Sequence, residues 1–102
     1  MAFVLRFGGW RPVEQEHGTG SLRLEGGETL EPVGYRFEVW HQMVDGFPGP
    51  FRSEGTLELP VATPSRIARG RAVLTLEDGR RLALRLAADG TFLAHVRPEA
   101  AA

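Results

Sequence analysis

The sequence predicts an all-β protein, folded as a small antiparallel β-barrel or sandwich of six to seven strands with a C-terminal three-stranded meander and at most one short helix. Three observations predict this class. Apolar and polar residues alternate at period two in several short stretches, which is typical of half-buried strands. Turn-forming residues recur about every ten positions. Only residues 63–70 have the features of a helix. We favour a barrel, because closure leaves no strand edge exposed, and we treat 1–102 as one domain.

The C-terminal meander is the clearest element. Asp78-Gly79 and Asp89-Gly90 are hairpin turn signals between alternating leucines. Three-residue loops, 77–79 and 88–90, place all the leucines on one face, whereas a two-residue loop at Asp78-Gly79 sets leucines against polar residues. The predicted pairs are Ala72–Leu84, Leu74–Leu82, Leu86–Phe92, Leu84–Ala94 and Leu82–Val96. The predicted inward face is Leu74, Leu76, Leu82, Leu84, Leu86, Phe92, Ala94 and Val96. Val73 and Leu93 fall on the outward face.

The rest of the chain yields further strands and connections. Strands are predicted at 2–7, 19–25, 33–42 and 55–59. Their predicted inward residues are Phe3, Leu5, Leu22, Leu24, Tyr35, Phe37, Val39, Leu57 and Leu59. Loops are predicted at 26–32 and 43–54, and 11–17 is predicted as a loop or one helical turn. In residues 63–70, Thr63 suits a helix cap and Gly70 suits the exit.

Composition narrows the classes of partner. The chain has no cysteine, so it has neither a disulfide framework nor a thiolate metal site. Its net charge of −1 does not favour nucleic acid or an anionic membrane as a partner. No apolar run approaches the roughly 20 residues needed to cross a bilayer. The N-terminus lacks the pattern of a signal peptide, so we expect a cytoplasmic protein.

No motif for catalysis or cofactor binding is present in the sequence. His17, His41 and His95 are far apart along the chain, and nothing indicates that they converge on a metal, so no metal or cofactor is expected. The serines sit in no nucleophile elbow, and there is no P-loop, HExxH helix or Rossmann turn. An enzyme that uses His41 or His95 with a glutamate stays open as an alternative.

Arginines are densest late in the chain, where a small barrel with a basic face could bind nucleic acid. No aromatic residues interleave with them for base stacking, so we interpret them as a solvated face and expect no nucleic-acid partner. These residues are Arg66, Arg69, Arg71, Arg80, Arg81 and Arg85.

The 43–51 loop is the most suggestive stretch for function. It carries Met43, Val44, Phe47 and Phe51, and such apolar surface must be buried or offered to a partner. Outward Trp40, Val73 and Leu93 would form a second apolar patch beside it if their strands are neighbours. The loop has three interpretations: it packs over an open end of the barrel, it forms a subunit interface, or it completes the mouth of a ligand pocket.

Gly8-Gly9-Trp10 resembles the Gly-x-Trp pattern near the first strand of lipocalins, up-and-down barrels that hold apolar ligands. The resemblance covers three residues, and no ligand or site residue is carried over from it.

The leading hypothesis is a non-enzymatic binding or assembly module whose partner is a second copy or another protein. Its predicted site residues are Trp40, Met43, Phe47, Phe51, Val73 and Leu93. The alternative is a small barrel that binds an apolar small ligand in a cavity lined by Tyr35, Phe37 and the leucine face.

Overall fold

Six antiparallel strands close into a barrel in the computed structural model, which describes residues 9–44, 46–64 and 69–100. The strands are β1 (Gly9–Leu24), β2 (Thr29–Val44), β3 (Phe47–Glu58), β4 (Gly70–Thr75), β5 (Arg81–Leu86) and β6 (Thr91–Ala94). They pair in the order β1-β2-β3-β6-β5-β4, and β4 pairs with β1. The predicted all-β class is therefore confirmed, and the barrel rather than the sandwich is the architecture.

Two three-stranded meanders, β1–β3 and β4–β6, build the barrel. β1 pairs with β4 only over Ser21–Leu24, and β3 pairs with β6 only over Ser53–Thr56. Because β1, β2 and β3 are much longer than these joins, they continue as a separate three-stranded sheet past one end of the barrel. We call this projection, residues 9–13, 40–44 and 47–52, the arm.

The C-terminal meander has the predicted register in the β4–β5 hairpin and at the β5–β6 turn. The predicted pairs Leu84–Ala94 and Leu82–Val96 were wrong, because among the described residues the β5–β6 ladder contains only Arg85–Leu93 and Leu86–Phe92, and Arg81 pairs with Glu99 beyond it. Leu74 pairs with Leu82, and Leu86 pairs with Phe92. Both turns have three-residue loops closed by backbone hydrogen bonds of 2.8 Å, from Leu76 N to Arg80 O and from Ala87 N to Thr91 O. Gly79 and Gly90 have φ of 91° and 90°, the left-handed region that a type I turn with a following bulge requires.

Side chains from every strand fill the barrel. The ring of Phe37 lies 5.8 Å from that of Tyr35 and 5.6 Å from that of Phe92. The predicted inward residues on the described strands are buried, with Leu59 partly buried at the rim. Val96 is the exception and was predicted wrongly: it is 43% exposed. β6 ends at Ala94, so the alternation of inward and outward residues stops before Val96.

Two stretches predicted without regular structure are strands, and the prediction was wrong there. Residues 11–17 belong to β1, and residues 43–54 contain the end of β2 and most of β3. The strands tolerate Pro12, Pro48 and Pro50 because β1 and β3 are edge strands in the arm. A proline on an edge strand can lack its N–H without breaking a hydrogen bond between two strands.

The predicted loop 26–32, strand 2–7 and helix 63–70 each compare differently with the structure. The predicted loop 26–32 is shorter, because β2 begins at Thr29. Its second part contains the cis peptide bond Glu31–Pro32, at a register shift between β1 and β2. The predicted strand 2–7 lies outside the described residues, as does the middle of the predicted helix 63–70. Gly70, predicted at the helix exit, is the first residue of β4 and has φ of 98°.

Candidate functional site

The outer face of the arm carries two tryptophans. Trp40 lies opposite Pro12 on β1 and opposite Arg52 on β3. The guanidinium carbon of Arg52 lies 4.5 Å from the centre of the Trp10 ring, within cation–π distance. At the tip, Val44 pairs with Phe47, whose side chain is 73% exposed. The arm thus exposes an aromatic side chain at its tip, while Trp10 and Trp40 on the same face are half-buried.

The inner face of the arm is used within the chain. The imidazole of His41 stacks on Phe51 with ring centres 4.2 Å apart, and its Nε2 lies 3.2 Å from the carbonyl oxygen of Gly49. The guanidinium carbon of Arg97 lies 4.9 Å from the same Phe51 ring. Phe51 therefore packs against the chain's own C-terminal segment, whereas Met43 is half-buried nearer the tip.

An ion cluster fixes the base of the arm to the turn between β4 and β5. Arg80 contacts Asp78 at 2.7 Å, Glu16 at 2.9 Å and Glu14 at 4.0 Å. The hydrogen bond to Glu16 raises the pKa of Arg80. The backbone amide and the side chain of Arg80 both donate to Asp78 and hold its pKa below the ordinary value. This cluster stabilises the fold, because its charges are already paired.

Val73 and Leu93 lie on the barrel wall instead of the arm. Val73 on β4 pairs with Ala83 on β5, and Leu93 on β6 pairs with Arg85 on β5. They flank a surface groove of about 540 Å³ with basic residues around it. We call this the wall groove. Its lining includes Arg23, Glu25, Arg71, Val73, Ala83, Arg85, Leu93 and His95.

The predicted site residues therefore divide between two surfaces. Trp40 lies on β2, which is not a neighbour of β4 or β6. The condition for one patch of Trp40, Val73 and Leu93 is not met, since β3 lies between Trp40 and Leu93 and β1 lies between Trp40 and Val73. Trp40 and Phe47 belong to the arm, and Val73 and Leu93 belong to the wall groove.

The histidines lie apart in the fold. His17 is on β1 opposite Arg36, His41 is on the inner face of the arm, and His95 follows β6. Within residues 9–44, 46–64 and 69–100, no carboxylate lies within ion-pair distance of His41 or His95, and no group of His, Asp and Glu has the arrangement of a metal site. In the same ranges, no helix is long and apolar enough to cross a membrane.

The sequence interpretation did not include two parts of these surfaces. Trp10 was noticed only in the Gly-x-Trp pattern, although it forms the outer face of the arm with Trp40. The β2–β3 hairpin was missed as well. Its signal was Asp45-Gly46 between the apolar pairs Met43-Val44 and Phe47-Pro48, and Gly46 has the positive φ of 81° that such a turn requires.

Comparisons with protein-family models, with curated protein sequences and with solved structures found no match for this chain.

Proposed function

We propose that this chain is a non-enzymatic binding module that assembles through the outer face of its arm, with a second copy of the chain as the partner. The observation that carries the proposal is the aromatic side of a projecting sheet: Phe47 is 73% exposed at the tip, and the half-buried Trp10 and Trp40 lie behind it on the same face. A contiguous apolar surface on a small protein commonly marks an interface.

The faces of the arm suit this contact better than its edges. Among the described residues, no strand pairs with the outer edge of β1 or of β3 in the arm; Pro12 lies on β1, and Pro48 and Pro50 lie on β3. Prolines on edge strands remove donors and discourage pairing with another strand. Packing of the two outer faces around a twofold axis uses the same patch on both copies, which is the commonest arrangement of a homodimer.

The arm's charge pattern supports such face-to-face packing. Arg52 stacks on Trp10 and its Nε lies 3.5 Å from Glu54 Oε2, so its charge is partly balanced beside the aromatic rings. A twofold contact then brings aromatic surface together without placing two unbalanced arginines at its centre. Arginine and tryptophan are also the residue types enriched where interfaces bind most strongly.

Light scattering at two protein concentrations tests the proposal. We expect a dimer mass for the wild type, and a mass that falls towards the monomer in Phe47→Ser and in Trp40→Ala. Val61→Ser is the control, because Val61 is a fully exposed apolar residue that lies in the connection between β3 and β4 and not on the arm. A monomeric wild type at both concentrations, or an unchanged mass in both arm variants with circular dichroism intact, would contradict assembly through the arm.

A further inference from the structure

Two arginines face each other on the barrel wall. Arg71 on β4 lies directly opposite Arg85 on β5. The pair Leu76–Arg80 that closes the turn is hydrogen-bonded, and pairs alternate along an antiparallel ladder. Arg71 and Arg85 therefore fall at a non-hydrogen-bonded position, where the side chains approach most closely. Like charges directly opposite each other destabilise a sheet.

The surroundings of this pair contain more positive than negative charge. Arg23 on β1 lies opposite Val73, one diagonal step from Arg71, and adds a third positive charge. Glu25 is the acidic residue that lines the groove; its backbone amide donates to the carbonyl oxygen of Arg71 at 3.2 Å, but its carboxylate forms no ion pair with Arg71 in the described structure. In a chain with a net charge of −1, the wall groove is a local excess of positive charge.

Apolar side chains lie beside the two arginines, since Val73 is two residues from Arg71 on β4 and Leu93 pairs with Arg85. Val73 and Leu93 are 36% and 38% exposed, with Ala83 between them. A ligand that contacts both the arginines and the apolar side chains of the groove must have a negative charge and an apolar group. Guanidinium groups bind carboxylates through paired hydrogen bonds, so two adjacent arginines favour a carboxylate.

We propose that the wall groove binds an acidic segment of a partner protein, with a carboxylate held between Arg71 and Arg85 and an apolar side chain against Val73 and Leu93. The wall is too open to enclose a small ligand, which typically has most of its surface buried in its site. Within the part of the chain that the structure describes, no Phe, Tyr or Trp lines the groove for base stacking, which disfavours single-stranded nucleic acid. The site is separate from the arm.

The test uses a fluorescein-labelled peptide of alternating Glu and Leu, with fluorescence anisotropy at low salt. We expect wild-type protein to bind it, Arg71→Gln and Arg85→Gln each to weaken binding about tenfold, and a Gln-Leu peptide not to bind. Arg36→Gln is the matched control, since Arg36 is an exposed arginine on the outer face of β2, outside the groove. Binding should also weaken as salt rises.

Thermal unfolding of the same variants separates a binding role from a structural one. Because Arg71 and Arg85 repel each other, Arg85→Gln should keep or raise the unfolding temperature while it weakens binding. The proposal is overturned if the wild type does not bind the Glu-Leu peptide, if the Gln-Leu peptide binds equally well, or if Arg36→Gln weakens binding as much as the groove variants. It is also overturned if a single-stranded oligonucleotide displaces the peptide at lower concentration than unlabelled peptide does. Phe47→Ser should bind the peptide like the wild type, so failure of arm assembly leaves this test intact.

Discussion

The hydroxyl of Ser53 donates a 2.7 Å hydrogen bond to the carbonyl oxygen of Val96. Ser53 is fully buried on β3, opposite Ala94, the last residue of β6. Beyond β6 the chain reaches β5, where Glu99 and Arg81 exchange backbone hydrogen bonds of 2.7 and 2.9 Å. The C-terminal segment is therefore held at both ends, and Ser53 is its attachment to the strand that continues into the arm.

Ser53→Ala should lower the free energy of unfolding by about 1–3 kcal/mol, because it leaves the Val96 carbonyl without its partner in a part-buried position. Urea unfolding at neutral pH measures the change. Ser21→Ala is the control, since Ser21 is a half-buried strand serine whose hydroxyl has no hydrogen bond among the described residues. We expect a change within about 0.5 kcal/mol there. Equal losses in the two variants would contradict the role of Ser53.

Two glycines on neighbouring strands should respond oppositely to alanine. A Cβ at Gly55 on β3 would overlap the carbonyl oxygen of Arg36 and the backbone of Phe37 on β2. Gly55→Ala should therefore cost about 1–3 kcal/mol through overpacking. A Cβ at Gly34 on β2 would meet only the Cβ of Glu58, at 3.4 Å.

Gly34→Ala should leave stability unchanged or raise it by up to about 1 kcal/mol, because alanine loses less backbone entropy on folding. Urea unfolding of both variants decides the matter. A tolerated Gly55→Ala would mean that β2 and β3 are not as close as the register indicates.

The second half of the chain was predictable because its turns are local. In β4–β6 the strands alternate without interruption, and a three-residue loop with glycine at its end fixes each register. In β1–β3 the pairing shifts register at three places, near Val13, at residues 31–32 and at residues 49–50. Each shift adds a residue and breaks the period of two, so the long strands were divided into short strands and loops.

The grouping of the surface residues depended on strand order, which is not encoded locally. Alternation correctly placed Val73 and Leu93 on the outside of the barrel. It could not show that Arg23 from β1 joins them, because the β1–β4 pairing closes the barrel across about fifty residues of sequence. The same order separates Trp40 from that wall.

Acid should destabilise the protein partly through its two Asp-Gly turns. Asp78 accepts hydrogen bonds from Arg80, and Asp89 accepts them from the hydroxyl of Thr91 at 2.6 Å and from its amide at 3.0 Å. These bonds lower the pKa of both carboxyls. Since the folded pKa is below the unfolded one, the unfolded chain binds more protons as the pH falls below about 4. The stabilisation is complete above that pH and is lost as the pH falls through the folded pKa.

Asp78→Asn and Asp89→Asn should each flatten the loss of stability between about pH 5 and pH 2, with additive effects in the double variant. Urea unfolding across this range measures the slope. Glu58→Gln removes an exposed carboxylate that accepts no side-chain hydrogen bond in the described ranges, and it serves as the control. If the unfolding free energy falls as steeply with decreasing pH in the double variant as in the wild type, the two aspartates do not contribute to acid destabilisation.

Trp40→Phe should not lower the free energy of unfolding, although phenylalanine is smaller than tryptophan. Its indole nitrogen is buried and has no acceptor among the described residues. Such an unpaired donor costs about 1–3 kcal/mol. Trp40→Phe removes the donor and keeps an aromatic ring opposite Pro12 and Arg52, so we expect an unfolding free energy equal to or above that of the wild type. Trp10→Phe is the comparison, because it weakens the cation–π contact with Arg52 and should cost about 0.5–1 kcal/mol. A larger loss in Trp40→Phe than in Trp10→Phe would contradict the cost assigned here to the unpaired N–H of Trp40.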